Sequence, residues 1–185
     1  MMDTIIEEAN TNPVVPMQVY KKAEELIAEA IEDGLHTGDL EQTFETILEL
    51  LQHCVFLGMG RVLLNDPERN VLSIRYGYDV PEYKLQVTYT SDEGLTGHVF
   101  RTGQAITTFN LTHIPEYKGK VAKVYELPYV NPAFTAVPIK NELDETLGVL
   151  CANHCQRGTV ETKEVLKILS FTASKIATLL CRQVH

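Results

Sequence analysis

The spacing of apolar residues predicts three long amphipathic helices. From Met17 to Asp33-Gly34, apolar side chains recur every three or four residues, which is typical of a helix with one buried face. A second helix follows Asp39, a good N-cap residue, and Gln42 stands three positions later, as in a capping box. A third begins after Gly158-Thr159 and continues towards the C-terminus.

Between these helices the apolar period falls to two, which indicates β-strands. The predicted strands are Met59–Leu64, Val71–Tyr76, Leu85–Tyr89, Ala105–Phe109, Phe134–Lys140 and Thr146–His154. A short helix is predicted in the middle of Ser91–Gly103, where Gly103 suits a left-handed C-terminal stop. Residues 110–130, which lack a clear period, are predicted to form a lid or binding loop, or a weak helix. This order of elements predicts an α+β fold with an antiparallel sheet. Residues 1–16 are expected to form a flexible N-terminal arm, and residues 17–185 a single domain.

Composition and charge exclude several partners. The chain has 185 residues, 44% of them hydrophobic, and a formal charge of −9 from 16 basic and 25 acidic side chains. A net negative charge repels phosphate backbones and anionic lipids, so neither nucleic acid nor a membrane is expected as a direct partner. The sequence shows no secretory signal, no apolar run long enough for a membrane span and four cysteines, which together predict a cytoplasmic protein.

The candidate chemical motifs do not form a catalytic set. Gly94, Gly97 and Gly103 lack the Lys-Ser/Thr pair of a phosphate-binding loop, so they are interpreted as turn and helix-end glycines. Cys151 and Cys155 would lie about 13 Å apart on one strand face, too far for a shared zinc ion. We therefore expect neither an enzyme nor a cofactor or metal.

Three segments carry a resemblance to a known family. They are GLTGHVFRTGQAI at 94–106, FTAVPI at 134–139 and LGVLCAN at 147–153. In order and spacing they resemble the GAF domain, and the chain is most similar to the N-terminal sensory GAF domains of sigma-54-dependent transcriptional activators of nitrogen fixation and formate metabolism.

The resemblance implies a sheet of about six antiparallel strands. The terminal helices would cover one face and mediate a homodimer, while the other face would hold a small-molecule pocket beneath the short helix and the lid. It also implies an output domain beyond residue 185. Family ligands include cyclic nucleotides, 2-oxoglutarate, formate, bilins, haem and iron, but residues 91–130 contain no cysteine to attach a bilin.

A small carboxylate such as 2-oxoglutarate is the preferred ligand. The predicted lid carries lysines at 118, 120 and 123, and Asn110 stands where the family often has an aspartate. Arg75 is predicted to clamp the anion, because a guanidinium fork can donate two hydrogen bonds to one carboxylate. The candidate ligand contacts are Arg75, Phe109, Asn110, Tyr125, Tyr129 and Thr135.

Three alternatives stay open at this point. The lid lysines could form only a solvated loop face. The chain could be a dimerisation module that binds no ligand. It could also resemble GAF enzymes that reduce free methionine sulfoxide, with Cys151 and Cys155 as the nucleophilic and resolving thiols, although the cysteines expected near the glycine helix are missing.

Overall fold

A computed structural model describes residues 17–55, 57–108, 111, 114–121, 132–155 and 159–182. The helices and strands in chain order are α1 (Met17–Thr37), α2 (Leu40–Val55), β1 (Leu57–Asp66), β2 (Val71–Tyr78), β3 (Thr88–Tyr89), α3 (Gly94–Thr102), β4 (Ile106–Thr108), β5 (Pro132–Lys140), β6 (Thr146–Cys155) and α4 (Thr159–Arg182). A 3₁₀ turn at Glu82–Lys84 precedes β3. The predicted N-terminal arm, residues 1–16, lies outside the described residues.

The six strands form one antiparallel sheet in the order β3-β2-β1-β6-β5-β4. Strands β1 and β2 are joined by a polar turn, as are β5 and β6, because each pair is close in sequence. The pairing of β1 with β6 joins the two hairpins at the centre of the sheet. The predicted α+β class and the strand number are both confirmed.

Each face of the sheet supports its own core, because neighbouring residues of a strand point to opposite faces. Val62 and Leu150 pack with the buried residues of α1, α2 and α4 on what we call the helix face. Leu63 and Val149 pack with α3 and the segment at 114–121 on the opposite side, the lid face. The predicted separation of terminal helices from a covered second face is therefore confirmed.

A bulge at Arg75 changes which face β2 presents. Val62 of β1 pairs with Tyr76, but the next residue, Leu63, pairs with Ile74, so Arg75 is left without a partner in the register. Ile74 consequently contributes to the lid-face core, whereas Tyr76 packs against the helix-face core and stacks on Phe44. The strand alternation predicted from the sequence therefore breaks at this residue.

Several element boundaries differ from the predicted ones, and the largest differences are at the end of α1 and in β3. Helix α1 continues through Gly34 to Thr37. Gly34 does not end the helix but allows α1 to approach α2 closely, since a Cβ placed there would collide with the Thr43 side chain. The left-handed φ of 72° that ends the helix belongs to Gly38 instead. Strand β3 contains two residues instead of the predicted five, because the backbone stays turned after the 3₁₀ turn: the N–H groups of Leu85 and Val87 donate to the carbonyls of Glu82 and Lys84.

The cap of α2 gives a first prediction. The Gln42 backbone N–H donates to Asp39 Oδ1 at 3.0 Å, as the sequence predicts. Replacing Asp39 by alanine removes this acceptor, so we expect the free energy of unfolding to fall by about 1 kcal/mol. Urea denaturation measures the change. Asparagine caps nearly as well, so Asp39→Asn is the control, and equal losses in both variants would contradict the capping role.

Candidate functional site

A small chamber lies between the lid face of the sheet, α3 and residues 114–121, which we call the lid segment. Its free volume is about 10 Å³, about enough for one water molecule. The side chains and glycines that line it are Arg61, Tyr89, Gly94, Leu95, Thr96, Tyr117, Lys118, Gly119, Val121 and Phe134. A ligand larger than water can enter this chamber only after the lid segment moves.

Arg61 of β1 is the charged group inside the chamber, and it is only 3% exposed. Its Nη2 donates to Asn153 Oδ1 at 2.8 Å, Nη1 lies 3.0 Å from Met59 Sδ, and Nε lies 3.5 Å from Cys151 Sγ. Among the described residues, no carboxylate lies within 4.0 Å of the guanidinium. A buried cation is thus surrounded by an amide and two sulfur atoms, which are weak acceptors.

The guanidinium nevertheless keeps its charge. Burial by itself lowers the pKa of Arg61, but its interactions with Cys151, Tyr89 and Tyr117 outweigh that effect and leave the pKa raised. Burying a charge costs free energy unless an opposite charge compensates it. The described part of the chamber therefore presents a fixed positive charge suited to an anion.

Tyr89 gives a second prediction, on pH dependence. Burial raises its pKa well above 10, although nearby Arg61 acts in the opposite direction. Above about pH 10 the unfolded chain loses the phenol proton while the folded chain keeps it, so stability falls as pH rises, by up to about 1.4 kcal/mol per pH unit. Urea denaturation between pH 9 and 11 should show a shallower loss for Tyr89→Phe. Tyr83, which is 75% exposed, provides the control variant Tyr83→Phe; equal slopes for all three proteins would contradict the assignment.

Five contacts hold the lid segment and its end in place. Asn153 Nδ2 donates to the Tyr117 hydroxyl at 3.1 Å, and the Tyr117 ring lies 5.6 Å from the ring of Phe134, centre to centre. At the end of the segment, Lys84 Nζ donates to the carbonyl of Val121 at 2.6 Å. Lys120 Nζ forms an ion pair with Glu93 at 2.6 Å and donates to the carbonyl of Thr88 at 2.8 Å. Most of these contacts are polar, but Ile114, Tyr117 and Val121 also pack in the lid-face core, so separation of the segment would expose part of that core and leave the helix-face core intact.

A larger surface cavity adjoins the chamber. It has a volume of about 370 Å³ and shares Gly94, Leu95 and Lys118 with the chamber wall. Its other lining residues are Asp92, His98, Arg101, Ile106 and Glu116. Lys118 is exposed, and its side chain approaches Gly94, where an added Cβ would lie 3.1 Å from Lys118 Cγ. The shared residues form the partition through which a small molecule would pass from the surface cavity to Arg61.

Arg75, the predicted anion clamp, lies away from this chamber. It is exposed and lines a separate groove of about 370 Å³ between α2 and β2. Glu41, Glu45 and Glu49 of α2 line the same groove, together with Asp79. The surrounding carboxylates make this groove unfavourable for an anion. Because the groove shares no lining residue with the chamber, the structure does not bring Arg75 together with the lid-side residues.

The other predicted contacts fall into two groups. Thr135 is fully buried on the helix face, where its hydroxyl lies 2.8 Å from Thr107 Oγ1 and 2.9 Å from His154 Nε2. It is therefore on the opposite side of the sheet from the chamber. Phe109, Asn110, Tyr125 and Tyr129 lie outside the described residues.

The sequence reasoning did not identify Arg61, the amide of Asn153 or the hydroxyl of Tyr117 as parts of the site. Arg61 stands in the apolar run Met59–Leu64, and Asn153 directly follows the apolar run Leu147–Ala152. A charged residue inside one apolar run and an amide at the end of another are a usable signal of a functional pocket, because burial of such groups is costly. Tyr117 gave no comparable signal, since it lies in an irregular segment.

The described residues also bear on other kinds of site. Within those ranges, no group of three or more His, Cys, Asp or Glu side chains is arranged to hold a metal ion. None of the helices they form is sufficiently long and apolar to cross a bilayer. Cys151 is fully buried beside Arg61, whereas the side chain of Cys155 is not described, so the proposed thiol pair has one described member.

Comparisons with known proteins agree with this architecture. The sequence model of the GAF domain matches residues 37–180. Two curated proteins of Azotobacter vinelandii are similar: the "Nif-specific regulatory protein", 26% identical over 166 residues, and "Nitrogen fixation protein AnfA", 27% identical over 143 residues. The matches cover 88% and 77% of this chain but only 31% and 26% of those proteins. The chain thus spans about a third or less of each relative.

A solved structure shows the same fold. The GAF domain of nlh2 from A. aeolicus, described as being in an inactive state, superimposes with a TM-score of 0.74 at 22% sequence identity. The superposition covers 89% of this chain and 99% of that one. At this level of identity the comparison supports the fold, and the ligand must be argued from the residues of this chain.

Proposed function

Because this chain belongs to the GAF domain family, we propose that it is the ligand-sensing domain of a transcriptional regulator. Its ligand is a small carboxylate such as 2-oxoglutarate, bound in the lid-side chamber with Arg61 as the clamp. The similarity to the "Nif-specific regulatory protein" supports the regulatory role. The output domain lies outside this sequence, and the protein acts in the cytoplasm without binding nucleic acid or membrane through this domain.

The observation that carries the proposal is the buried guanidinium of Arg61, which has no described carboxylate within 4.0 Å. A carboxylate can accept two parallel hydrogen bonds from a guanidinium, and these charge-assisted bonds are about twice as strong as neutral ones. Its negative charge would also offset the cost of burying Arg61, which the amide and sulfur neighbours do not. Phe109, Asn110, Tyr125 and Tyr129 remain proposed contacts from the surrounding segments.

Signalling is proposed to pass from the lid face to the terminal helices. Helices α1 and α4 pack together on the helix face, where they can form the interface of a homodimer. A ligand shifts such an assembly only if it binds one arrangement of the helices more tightly than the other. A difference of about 1–3 kcal/mol would give a 5- to 150-fold response.

Thermal denaturation with added acids tests the proposal. At 100 times its dissociation constant, a ligand stabilises the folded chain by about 2.7 kcal/mol, which corresponds to a rise in Tm of about 5–11 °C. We expect this rise with 2-oxoglutarate and none with an uncharged analogue, the dimethyl ester. A Tm that no small carboxylate changes would refute the sensing role.

The closed chamber favours a second candidate, a dimerisation module that binds no ligand. A volume of about 10 Å³ leaves no room for an organic acid in the described arrangement. This candidate predicts a dimer in sedimentation experiments and no Tm change with any acid. The reductase alternative is tested separately, by thiol titration after incubation with free methionine sulfoxide.

A further inference from the structure

We infer that Asn153 is a positioning residue that links the charge balance at Arg61 to the closure of the lid segment. This inference rests on the proposed function, because it assumes that an anion reaches Arg61. It assigns to one buried amide the regulation of access to the chamber.

The amide of Asn153 forms hydrogen bonds to two other parts of the chain, β1 through Arg61 and the lid segment through Tyr117. It is fully buried on β6, its Oδ1 accepts from Arg61 Nη2 at 2.8 Å, and its Nδ2 donates to the Tyr117 hydroxyl at 3.1 Å. A guanidinium only donates hydrogen bonds, so the oxygen must face Arg61 and the nitrogen must face Tyr117. The Tyr117 ring also packs near Phe134. The bond to Tyr117 therefore fixes the lid segment over the arginine.

Closure of the lid segment has an electrostatic cost. When Tyr117 packs over the chamber, the guanidinium loses its contact with water, and its described acceptors supply no opposite charge. A negative charge beside Arg61 removes this cost and so favours the closed segment. Because the described chamber holds about one water molecule, an organic acid supplies that charge only in an arrangement in which the segment closes over the acid. Asn153 couples closure to Arg61, because the bond to Arg61 holds the amide in one orientation and keeps Nδ2 directed at the Tyr117 hydroxyl.

Asn153→Asp tests this link without any ligand. Aspartate has the same shape, so it places a carboxylate beside Arg61 Nη2 and a second oxygen where the Tyr117 hydroxyl can donate to it. In hydrogen exchange without added acid, we expect the amides of residues 114–121 to exchange about tenfold more slowly than in the wild type, since both bonds become charge-assisted. Added 2-oxoglutarate should slow exchange in the wild type and have no further effect in this variant.

Tyr117→Phe shows whether the effect passes through the hydroxyl. It keeps the ring that packs near Phe134 and removes the hydroxyl to which Asn153 Nδ2 donates. In the double variant with Asn153→Asp, exchange should return to within about twofold of Tyr117→Phe alone. Tyr83→Phe, the same change at an exposed tyrosine, should leave exchange unchanged. If Asn153→Asp does not fold, the acid-induced slowing of exchange in the wild type should still be lost in Tyr117→Phe.

The outcomes separate the link through Asn153 from the proposed sensing of a carboxylate. Unchanged lid exchange in Asn153→Asp, or slowing that persists without the Tyr117 hydroxyl, overturns the inference even if acids bind through Arg61. Slowing that requires the hydroxyl supports it. If the wild type responds to no acid but Asn153→Asp still slows exchange through Tyr117, the link stands and the proposed function fails.

Discussion

Replacing Arg61 by methionine is expected to abolish stabilisation by 2-oxoglutarate. Methionine keeps much of the side-chain volume but removes the charge and every donor, so the carboxylate would be buried without a partner. Loss of one member of a buried charged pair typically costs 2–5 kcal/mol of binding free energy, about 30-fold or more in affinity. The rise in Tm of about 5–11 °C should therefore fall to near zero at the same acid concentration.

Arg75→Met is the matched control for this variant. It makes the same chemical change at an exposed arginine in the acidic groove. We expect it to retain the full acid response, whereas the clamp predicted from the sequence requires it to lose that response. Denaturation without ligand checks that Arg61→Met folds. Removal of the buried charge should raise the free energy of unfolding, and the loss of the donor to Asn153 Oδ1 should lower it by a similar amount. An unchanged acid response in Arg61→Met would remove the basis of the carboxylate proposal.

The sequence predicted the architecture well because periodicity reports burial. Two apolar segments on either side of the polar turn 141–145 predicted the hairpin of β5 and β6, and the three- and four-residue spacing after Asp39 predicted α2. The predicted element boundaries are wrong where a residue type that usually ends an element has another role. Gly34 looked like a helix end but is a contact between two helices, a tertiary role that local pattern does not reveal.

The site was harder to predict, because it depends on register. Arg75 was chosen from its position on a strand, but the bulge in β2 places it beside the carboxylates of α2. Arg61 and Asn153 lie 92 positions apart in sequence, and only the antiparallel pairing of β1 with β6 brings their side chains to 2.8 Å. A single sequence gives the type of such residues but not the pairing that makes them neighbours.

Phe44→Ala is expected to destabilise the chain more than Phe134→Ala. Both side chains are essentially fully buried, Phe44 in the helix-face core and Phe134 in the lid-face core. Removal of a buried phenylalanine side chain costs about 3–5 kcal/mol, depending on how far the surroundings can relax. Phe44 is enclosed by helices and stacks on Tyr76 at 4.0 Å, so its loss leaves a rigid cavity. Phe134 borders the lid segment, whose polar attachments allow it to close over the space.

Urea denaturation compares the two variants directly. We expect a loss near 5 kcal/mol for Phe44→Ala and near 3 kcal/mol for Phe134→Ala, with almost no change for Leu143→Ala, a residue that is 79% exposed. The difference matters for function, because the proposed carboxylate can reach Arg61 only if the lid side yields more easily than the helix side. An equal or larger loss for Phe134→Ala would show that the chamber is packed as firmly as the main core. In that case the dimerisation module without a ligand becomes the better account of the closed chamber.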